Sequence, residues 1–209
     1  MNNEKLLEQI KKQGVADRKI LQAFTKLDRK KFLPKEQKAK AYQDRPIPIG
    51  YNQTISQPSL VASMTKKLDV GENDTVLEIG TGSGYQAAIL AEIVKQVYTI
   101  ERVEELANRA KDTLAELGYD NVEVIIGDGS KGLPEYAPYD GIIVTAAAPE
   151  IPKTLVDQLK EGGKIVIPVG GKMTQSLKVC QKKDGELEII EESYVRFVPL
   201  IGDKGWENN

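Results

Sequence analysis

The residues best suited to chemistry fall into three short groups. The first is Glu78-Ile79-Gly80-Thr81-Gly82-Ser83-Gly84, which follows the apolar pair Val76-Leu77 and opens a helical pattern. Glycines let the backbone turn sharply and let a ligand lie against it. The register Gly80-x-Gly82-x-Gly84 differs from a dinucleotide fingerprint, and bulky Tyr85 stands where the third small residue belongs, which argues against a pyrophosphate pressed onto the helix. Alone, such a loop could be only a tight turn. The second group is Glu101, 21 positions after Gly80 and at the end of the next strand-like run. An acidic side chain there can accept both hydroxyls of an adenosine ribose. The third is Gly127-Asp128-Gly129, where a carboxylate can accept a hydrogen bond from an adenine amino group, an Asp-Gly turn being the plain alternative. Together, at successive strand ends, the three are far more specific than any one of them.

A further segment, Gln53-Thr54-Ile55-Ser56-Gln57-Pro58, sets two hydroxyls before a helix start. Capping is one reading of them; holding an anion at a helix N-terminus is the other. The chain has no histidine, which excludes Ser-His-Asp and Cys-His nucleophilic sites, histidine-ligated metal and a histidine base. A carboxylate acceptor suits that absence. It is ionised at neutral pH and is its own nucleophile. The protein then needs mainly to align it with an electrophile and keep water out. The single cysteine, Cys180, sits in the apolar run Ser176-Leu177-Lys178-Val179-Cys180 and reads as a strand residue.

The elements that must position these groups are legible from periodicity. Leu6, Leu7 and Ile10 mark a first helix; Ile20, Leu21, Phe24 and Leu27 mark a second, with Asp17 as its cap. Arg45 to Gly50 holds two prolines and must be extended or looped. A helix is predicted from Pro58 to Leu68. Strands at 76–79, 97–100, 122–126, 142–144 and 164–167 alternate with helices at 86–94, 103–117 and 154–159, the last ending at Gly162-Gly163, and the 142–144 strand is central. Strands at 177–181 and 187–190 join through the hairpin turn Lys183-Asp184-Gly185, and a further strand is expected at 194–198. The fold class is therefore α/β: a mostly parallel twisted sheet with an antiparallel C-terminal end and a helical N-terminal addition. One domain is expected over 1–209, with an active-site segment at 1–70, a cofactor core at 75–170 and C-terminal strands at 171–209.

With 209 residues, 40% hydrophobic and 29% charged, the chain has an ordinary globular composition, and a net charge of −2 gives no global attraction to nucleic acid or anionic membrane. Met1-Asn2-Asn3-Glu4-Lys5 lacks a signal-peptide core, and no run approaches a membrane span, so a cytoplasmic location is expected.

The loop, Glu101 and Asp128 on such a sheet resemble the Rossmann-like class I S-adenosylmethionine-dependent methyltransferases over about residues 75–170. That resemblance implies Gly80, Gly82 and Gly84 beside the methionine part of the cofactor, Glu101 on the ribose and Asp128 on the adenine, with Glu78, Thr81, Ser83 and Gly129 also in the cofactor-binding site. After the fourth strand, base-amine methyltransferases carry Asn-Pro-Pro-aromatic or Asp-Pro-Pro-aromatic; Thr145-Ala146-Ala147-Ala148-Pro149 has no ring to stack on a base. The 53–58 segment, Pro46-Ile47-Pro48-Ile49-Gly50 before it and Arg196-Phe197-Val198-Pro199-Leu200 near the end resemble the protein-L-isoaspartate O-methyltransferase family, over nearly the whole chain. Some relatives carry histidines where this chain has Ser59, Leu60 and Val61.

This second resemblance implies methylation of the free carboxylate of isoaspartyl residues, with D-aspartyl a further substrate, in damaged polypeptides. The ester then closes to a succinimide, and hydrolysis returns part of it to aspartate. It makes Ser56 the active-site serine, hydrogen-bonded to the substrate carboxylate, with Thr54 and Ile55 lining the acceptor site. Arg196 pairs with a substrate carboxylate or is a strand-edge charge. A monomer is expected, with no nucleic-acid or membrane partner. The rival readings are a methyltransferase for a small molecule or RNA, a nicotinamide dehydrogenase, and a non-catalytic binding module. Gly205 to Asn209 either covers the site or frays.

Overall fold

The computed structural model describes residues 3–171 and 174–207. In chain order the elements are α1 (Asn3–Lys12), α2 (Arg18–Lys26), β1 (Ile47–Gly50), β2 (Gln53–Ile55), α3 (Pro58–Leu68), β3 (Thr75–Ile79), α4 (Tyr85–Ala91), β4 (Gln96–Glu101), α5 (Glu104–Glu116), β5 (Val122–Ile126), β6 (Tyr139–Val144), α6 (Lys153–Asp157), β7 (Leu159–Gly170), β8 (Gln175–Lys183) and β9 (Glu186–Val195). The Asp17 carboxylate accepts the Ile20 N–H at 3.0 Å, capping α2 as its position predicts.

Seven strands form one sheet in the order β5-β4-β3-β6-β7-β8-β9. Neighbours from β5 to β7 run parallel; β8 and β9 each pair antiparallel with the strand before them. The run at 142–144 is indeed central. Strand periodicity sorts the core into two layers. Val76, Val97, Ile143 and Val166 face a cluster built with α1 to α5, whereas Leu77, Ile79, Ile142, Val144 and Ile165 face one that includes Leu155 of α6 and Leu200. Both faces are covered, as β-α-β crossovers require. Cys180 is buried in β8, where desolvation pushes its thiol pKa up, the setting of an inert core residue. Asp184 and Gly185, both at positive φ, make the two-residue hairpin turn between β8 and β9. β9 is an edge strand on which Glu186, Glu188, Ile189, Ile190, Glu191, Glu192 and Tyr194 are exposed. Lys183 pairs with Glu188 at 3.4 Å, and Lys67 pairs with Glu191.

Three sequence-based boundaries are corrected. The helix predicted at 86–94 is regular only to Ala91. The helix predicted at 154–159 ends at Asp157, because Leu159 already pairs with Tyr139. Gly162 and Gly163 lie inside β7, beside a register shift; Gly162 has φ +80°, and a Cβ on Gly163 would fall 2.9 Å from the Asp140 carbonyl oxygen. No strand spans 194–198. β9 ends at Val195, and the Gln175 side chain clamps Phe197, accepting from its N–H at 2.6 Å and donating to its carbonyl at 3.1 Å. The chain then crosses to the end of β6, where Ala147 N–H donates to Val198 O and Leu200 N–H to Ala147 O. Met1, Asn2, Asn208 and Asn209 lie outside the described residues.

Candidate functional site

From β3 the chain winds outward through β4 to β5, then returns to β6 and β7 on the other side. Such a reversal leaves a crevice at the carboxyl ends of the two central strands. There a cleft of about 910 Å³, its open mouth included, is lined by Glu78, the 80–83 stretch, Glu101, Gly129 and the segment 53–56. The expected cofactor loop and acceptor segment therefore face one another across one space.

The glycine loop is shaped by contact as well as by turn. Gly80 has φ +95°, and a Cβ there would overlap the Thr145 hydroxyl, which donates to Gly80 O at 2.6 Å and lies 3.1 Å from Ile79 O. Gly84, at φ +84°, is the N-cap of α4, and a Cβ on it would crowd Ala110 and Leu114 of α5 at 3.3 Å. The loop's N–H groups are largely spent internally. Those of Gly80 and Thr81 donate to Ile100 O, that of Gly82 to Glu101 Oε2 at 2.8 Å, and that of Gly84 to Thr81 O. A pyrophosphate cradle needs such donors free. This disposition, added to Tyr85, speaks against a dinucleotide.

Both glutamates are fixed. Glu101 accepts from Gly82 N–H and, at 3.0 Å, from Val103 N–H, so its carboxylate stands rigid at the end of β4. Glu78 is fully buried. Its Oε2 accepts from Thr99 Oγ1 at 2.6 Å, and Thr99 Oγ1 lies 2.7 Å from Thr81 Oγ1, so the Thr81 hydroxyl is engaged in this network although the residue lines the cleft. Glu78 Oε1 has no hydrogen-bond partner among the described residues. Burial pushes the Glu78 pKa up from 4.5 to about 8; the Thr99 hydrogen bond opposes this and the Glu101 charge adds to it.

This shift has a testable sign. A carboxyl that stays protonated in the fold but ionises when unfolded contributes stability at low pH, which is lost as pH rises from about 4.5 to about 8. The ligand-free Tm is expected to fall across that window. In Glu78→Gln that slope is expected to flatten, the variant matching the parent near pH 5 and exceeding it near pH 8. Thermal melts across pH read this directly, and parallel curves for the two proteins would refute it.

The acceptor segment is built differently from the sequence expectation. Neither Thr54 nor Ser56 caps α3. Its N-cap is Gln57, and Pro58 at the first turn has no N–H. The Ser59 N–H donates to Asp44 Oδ1 at 2.9 Å, while the Leu60 and Val61 N–H groups go to Gln57 O. The helix start is thus already occupied by a carboxylate of the chain, and the expectation of free N–H groups waiting for a substrate anion is corrected. Ile55 is buried, Thr54 exposed and Ser56 half-buried, all three on the cleft wall.

Two residues absent from the sequence reading shape this wall. Asp44 is one. The other is Arg29, buried at 1% exposure, which donates to Ser56 O at 2.8 Å, to Ala41 O at 2.6 Å and to Gln43 O at 3.3 Å. An arginine inside Asp28-Arg29-Lys30-Lys31 reads as solvated charge; only the fold shows it inside. Desolvation lowers its pKa to about 10.

Asp128 and Arg196 are not brought into the cleft lining. Asp128 caps a 3-10 turn, accepting from Ser130 N–H and Oγ at 3.0 and 2.7 Å, while its other oxygen takes the Asp203 N–H at 2.8 Å. Burial pushes its pKa up, but these hydrogen bonds and nearby Lys131 outweigh that and leave it lowered. Gly129 does line the cleft, where a Cβ would fall 2.6 Å from Ile79 Cγ2. Arg196 lies just beyond β9 and is exposed. The described part of the tail is fastened and does not fray: Trp206 donates its N–H to Leu200 O at 2.7 Å and its indole N–H to Ala147 O at 3.1 Å.

Known proteins resemble this chain along its length. Residues 1–205 match the family model described as protein-L-isoaspartate(D-aspartate) O-methyltransferase. A protein-L-isoaspartate O-methyltransferase of Methanoculleus marisnigri is 50% identical over 205 residues, 98% of this chain and 93% of that protein. One from Petrotoga mobilis is 52% identical over 200 residues, 95% of this chain and 94% of that protein. Among solved structures, a protein-L-isoaspartate O-methyltransferase superposes with a TM-score of 0.91 at 34% identity, covering 98% of this chain and 67% of that one. A putative one from Plasmodium falciparum, in complex with S-adenosyl-L-homocysteine, gives 0.84 at 29% identity and covers 96% and 99% of the two chains.

Proposed function

The chain belongs to the protein-L-isoaspartate(D-aspartate) O-methyltransferase family, and from that membership we propose how its own residues carry out the family's reaction. It is an S-adenosylmethionine-dependent enzyme that methylates the free carboxylate of isoaspartyl residues in proteins, the first step of their repair. S-adenosylmethionine supplies a methyl group on a positively charged sulfur, an electrophile that an ionised carboxylate meets without help from a base. The missing histidine is then no handicap.

The donor set suits this cofactor. A buried glutamate oxygen without a partner, Glu78 Oε1, is a ready acceptor for a ligand ammonium or hydroxyl, and a cationic ligand offsets the cost of ionising it. Glu101, fixed by two backbone N–H groups, keeps lone pairs for a pair of hydroxyls. Gly80, Gly82 and Gly129 let the ligand lie against main chain. In this reading Thr81 supports Glu78 through Thr99, Ser83 contributes loop surface, and Gly84 sets the loop against α5. Asp128 receives the adenine amino group only if its carboxylate shares lone pairs with its present donors.

The single observation that carries the acceptor assignment is that Thr54, Ile55 and Ser56 line the same cleft as Glu78 and Glu101. Ser56 donates its hydroxyl to the substrate carboxylate and holds one oxygen in line with the methyl group. It is not a covalent nucleophile, since no base stands by to activate it. Thr54 and Ile55 form the wall on which the substrate chain lies, and Arg196 offers a charge at the rim. The reading extends to D-aspartyl residues as a second substrate. It takes the enzyme as a cytoplasmic monomer that acts on damaged polypeptides and not on nucleic acid. The net charge of −2 supports the part of this reading that excludes nucleic acid, and among the described residues no helix is long and apolar enough to cross a membrane.

The test is methyl transfer from labelled S-adenosylmethionine to two peptides that differ only in isoaspartyl or aspartyl at one position. Base-labile label on the isoaspartyl peptide alone is expected. Label on neither peptide, with tight cofactor binding, would redirect the acceptor to small molecules or RNA.

A further inference from the structure

We infer that Arg29 is a positioning residue for methyl transfer: it ties the Ser56 loop to the first turn after the glycine loop and so fixes the gap between acceptor and donor. The inference rests on the role proposed above for Ser56.

A guanidinium at 1% exposure is costly unless its N–H groups are satisfied. Among the described residues no carboxylate forms an ion pair with Arg29; its two terminal nitrogens donate to three backbone carbonyls, and its buried Nε–H is left without a hydrogen-bond partner. Two of these, Ala41 and Gln43, belong to the segment entering the β1–β2 hairpin; the third is Ser56 itself. The carbonyl of Ser56 is thus held at 2.8 Å by a rigid planar group, while the residue itself lines the cleft. The same guanidinium lies 5.6 Å from the centroid of the Tyr85 ring. Tyr85 follows Gly84 directly, begins α4 and also lines the cleft. Its ring is wedged edge-on by Phe32 at 5.3 Å and Phe24 at 6.0 Å. One side chain therefore touches both walls of the site, at the two places where acceptor and donor are to be held.

This connection matters because the reaction asks little of the protein besides alignment. Displacing one reacting group by about 1 Å can cost roughly 100-fold in rate. Lysine keeps the charge at position 29 but is a point donor without the planar fork, so it cannot bind Ser56 O and Ala41 O in the same geometry. An arginine that merely filled the interior would change stability and leave turnover per folded molecule alone.

The experiment is a double-mutant cycle of Arg29→Lys and Ser56→Ala on the full chain, with an isoaspartyl peptide. Rates are counted per cofactor-binding site, so unfolded protein does not enter. Arg29→Lys is expected to lower kcat about 10- to 100-fold with cofactor Kd changed less than about threefold. In the Ser56→Ala background the same substitution is expected to cost less than about threefold, because the group it positions is gone. A wild-type kcat in Arg29→Lys, or an equal loss in both backgrounds, overturns the inference. If Arg29→Lys yields no cofactor-binding protein, Tyr85→Leu removes the ring on which the guanidinium rests. Its kcat loss must likewise vanish without the Ser56 hydroxyl, and an additive loss overturns the inference. Unchanged turnover in Ser56→Ala alone sinks the reading of Ser56 instead, so the two failures are distinguishable.

Discussion

Ser56→Ala is expected to lower kcat for an isoaspartyl peptide about 100-fold, the scale of losing one well-placed hydrogen-bond donor at a reacting group. Cofactor Kd and Tm are expected to stay close to their parent values. The reason lies in how the loop is held. Arg29 grips the Ser56 carbonyl, Asp44 holds the following helix through Ser59 N–H, and Ile55 is buried in the core. None of these contacts uses the Ser56 hydroxyl, so alanine removes the donor and leaves the wall standing. Steady-state kinetics beside cofactor titration checks this. Full turnover in the alanine variant would remove Ser56 from the reaction.

Gly80→Ala is expected to weaken cofactor binding by at least about 100-fold and to lower stability by roughly 2–4 kcal/mol. Two costs add. A Cβ at φ +95° is strained, at about 1–2 kcal/mol. It also overlaps the Thr145 hydroxyl, which must leave its 2.6 Å hydrogen bond to Gly80 O. Any backbone shift that relieves the clash moves the loop joining β3 to α4 and disturbs the cleft on the side of Glu78 and Glu101. Gly118→Ala is the control. That glycine also has positive φ, +78°, but a Cβ there meets nothing within 4 Å, so only the conformational cost of about 1–2 kcal/mol applies. Calorimetric cofactor titration and thermal melts of both variants separate the two costs. Equal effects in the two would show that the Thr145 contact carries no weight.

What the sequence disclosed and what it hid follow one physical division. Local features were legible: the Asp17 cap, the span Pro58–Leu68, the Asp184-Gly185 turn and the apolar central strand 142–144 each depend on neighbours in the chain. The meeting of the glycine loop and Glu101 at one cleft was legible too, because parallel strands place consecutive strand ends side by side. Contacts made across long separations were hidden. Asp44 lies 15 residues before the N–H it caps, and Arg29 lies 27 before the carbonyl it grips. The end of β9 was misjudged because the agent that closes it, the Gln175 side chain, is 22 residues away from Phe197. Asp128 was legible as a strand-end carboxylate, but its occupation by Asp203 N–H depends on a tail 75 positions later.

Damaged polypeptides are poor neighbours for an open sheet, since loosened chains readily add themselves as extra strands to any unpaired edge. β9 is such an edge, ten residues long and with Ile189, Ile190 and Tyr194 exposed. Glutamates at 186, 188, 191 and 192 break up its apolar surface. A strand laid along it would have to strip water from several of these carboxylates, a cost that the ladder hydrogen bonds do not readily offset. The acceptor side of the cleft, by contrast, is formed by Thr54, Ile55 and Ser56, which carry no charge. On the reading proposed above, the carboxylates along β9 turn added strands away, and the cleft at the strand ends is the place left to a polypeptide segment.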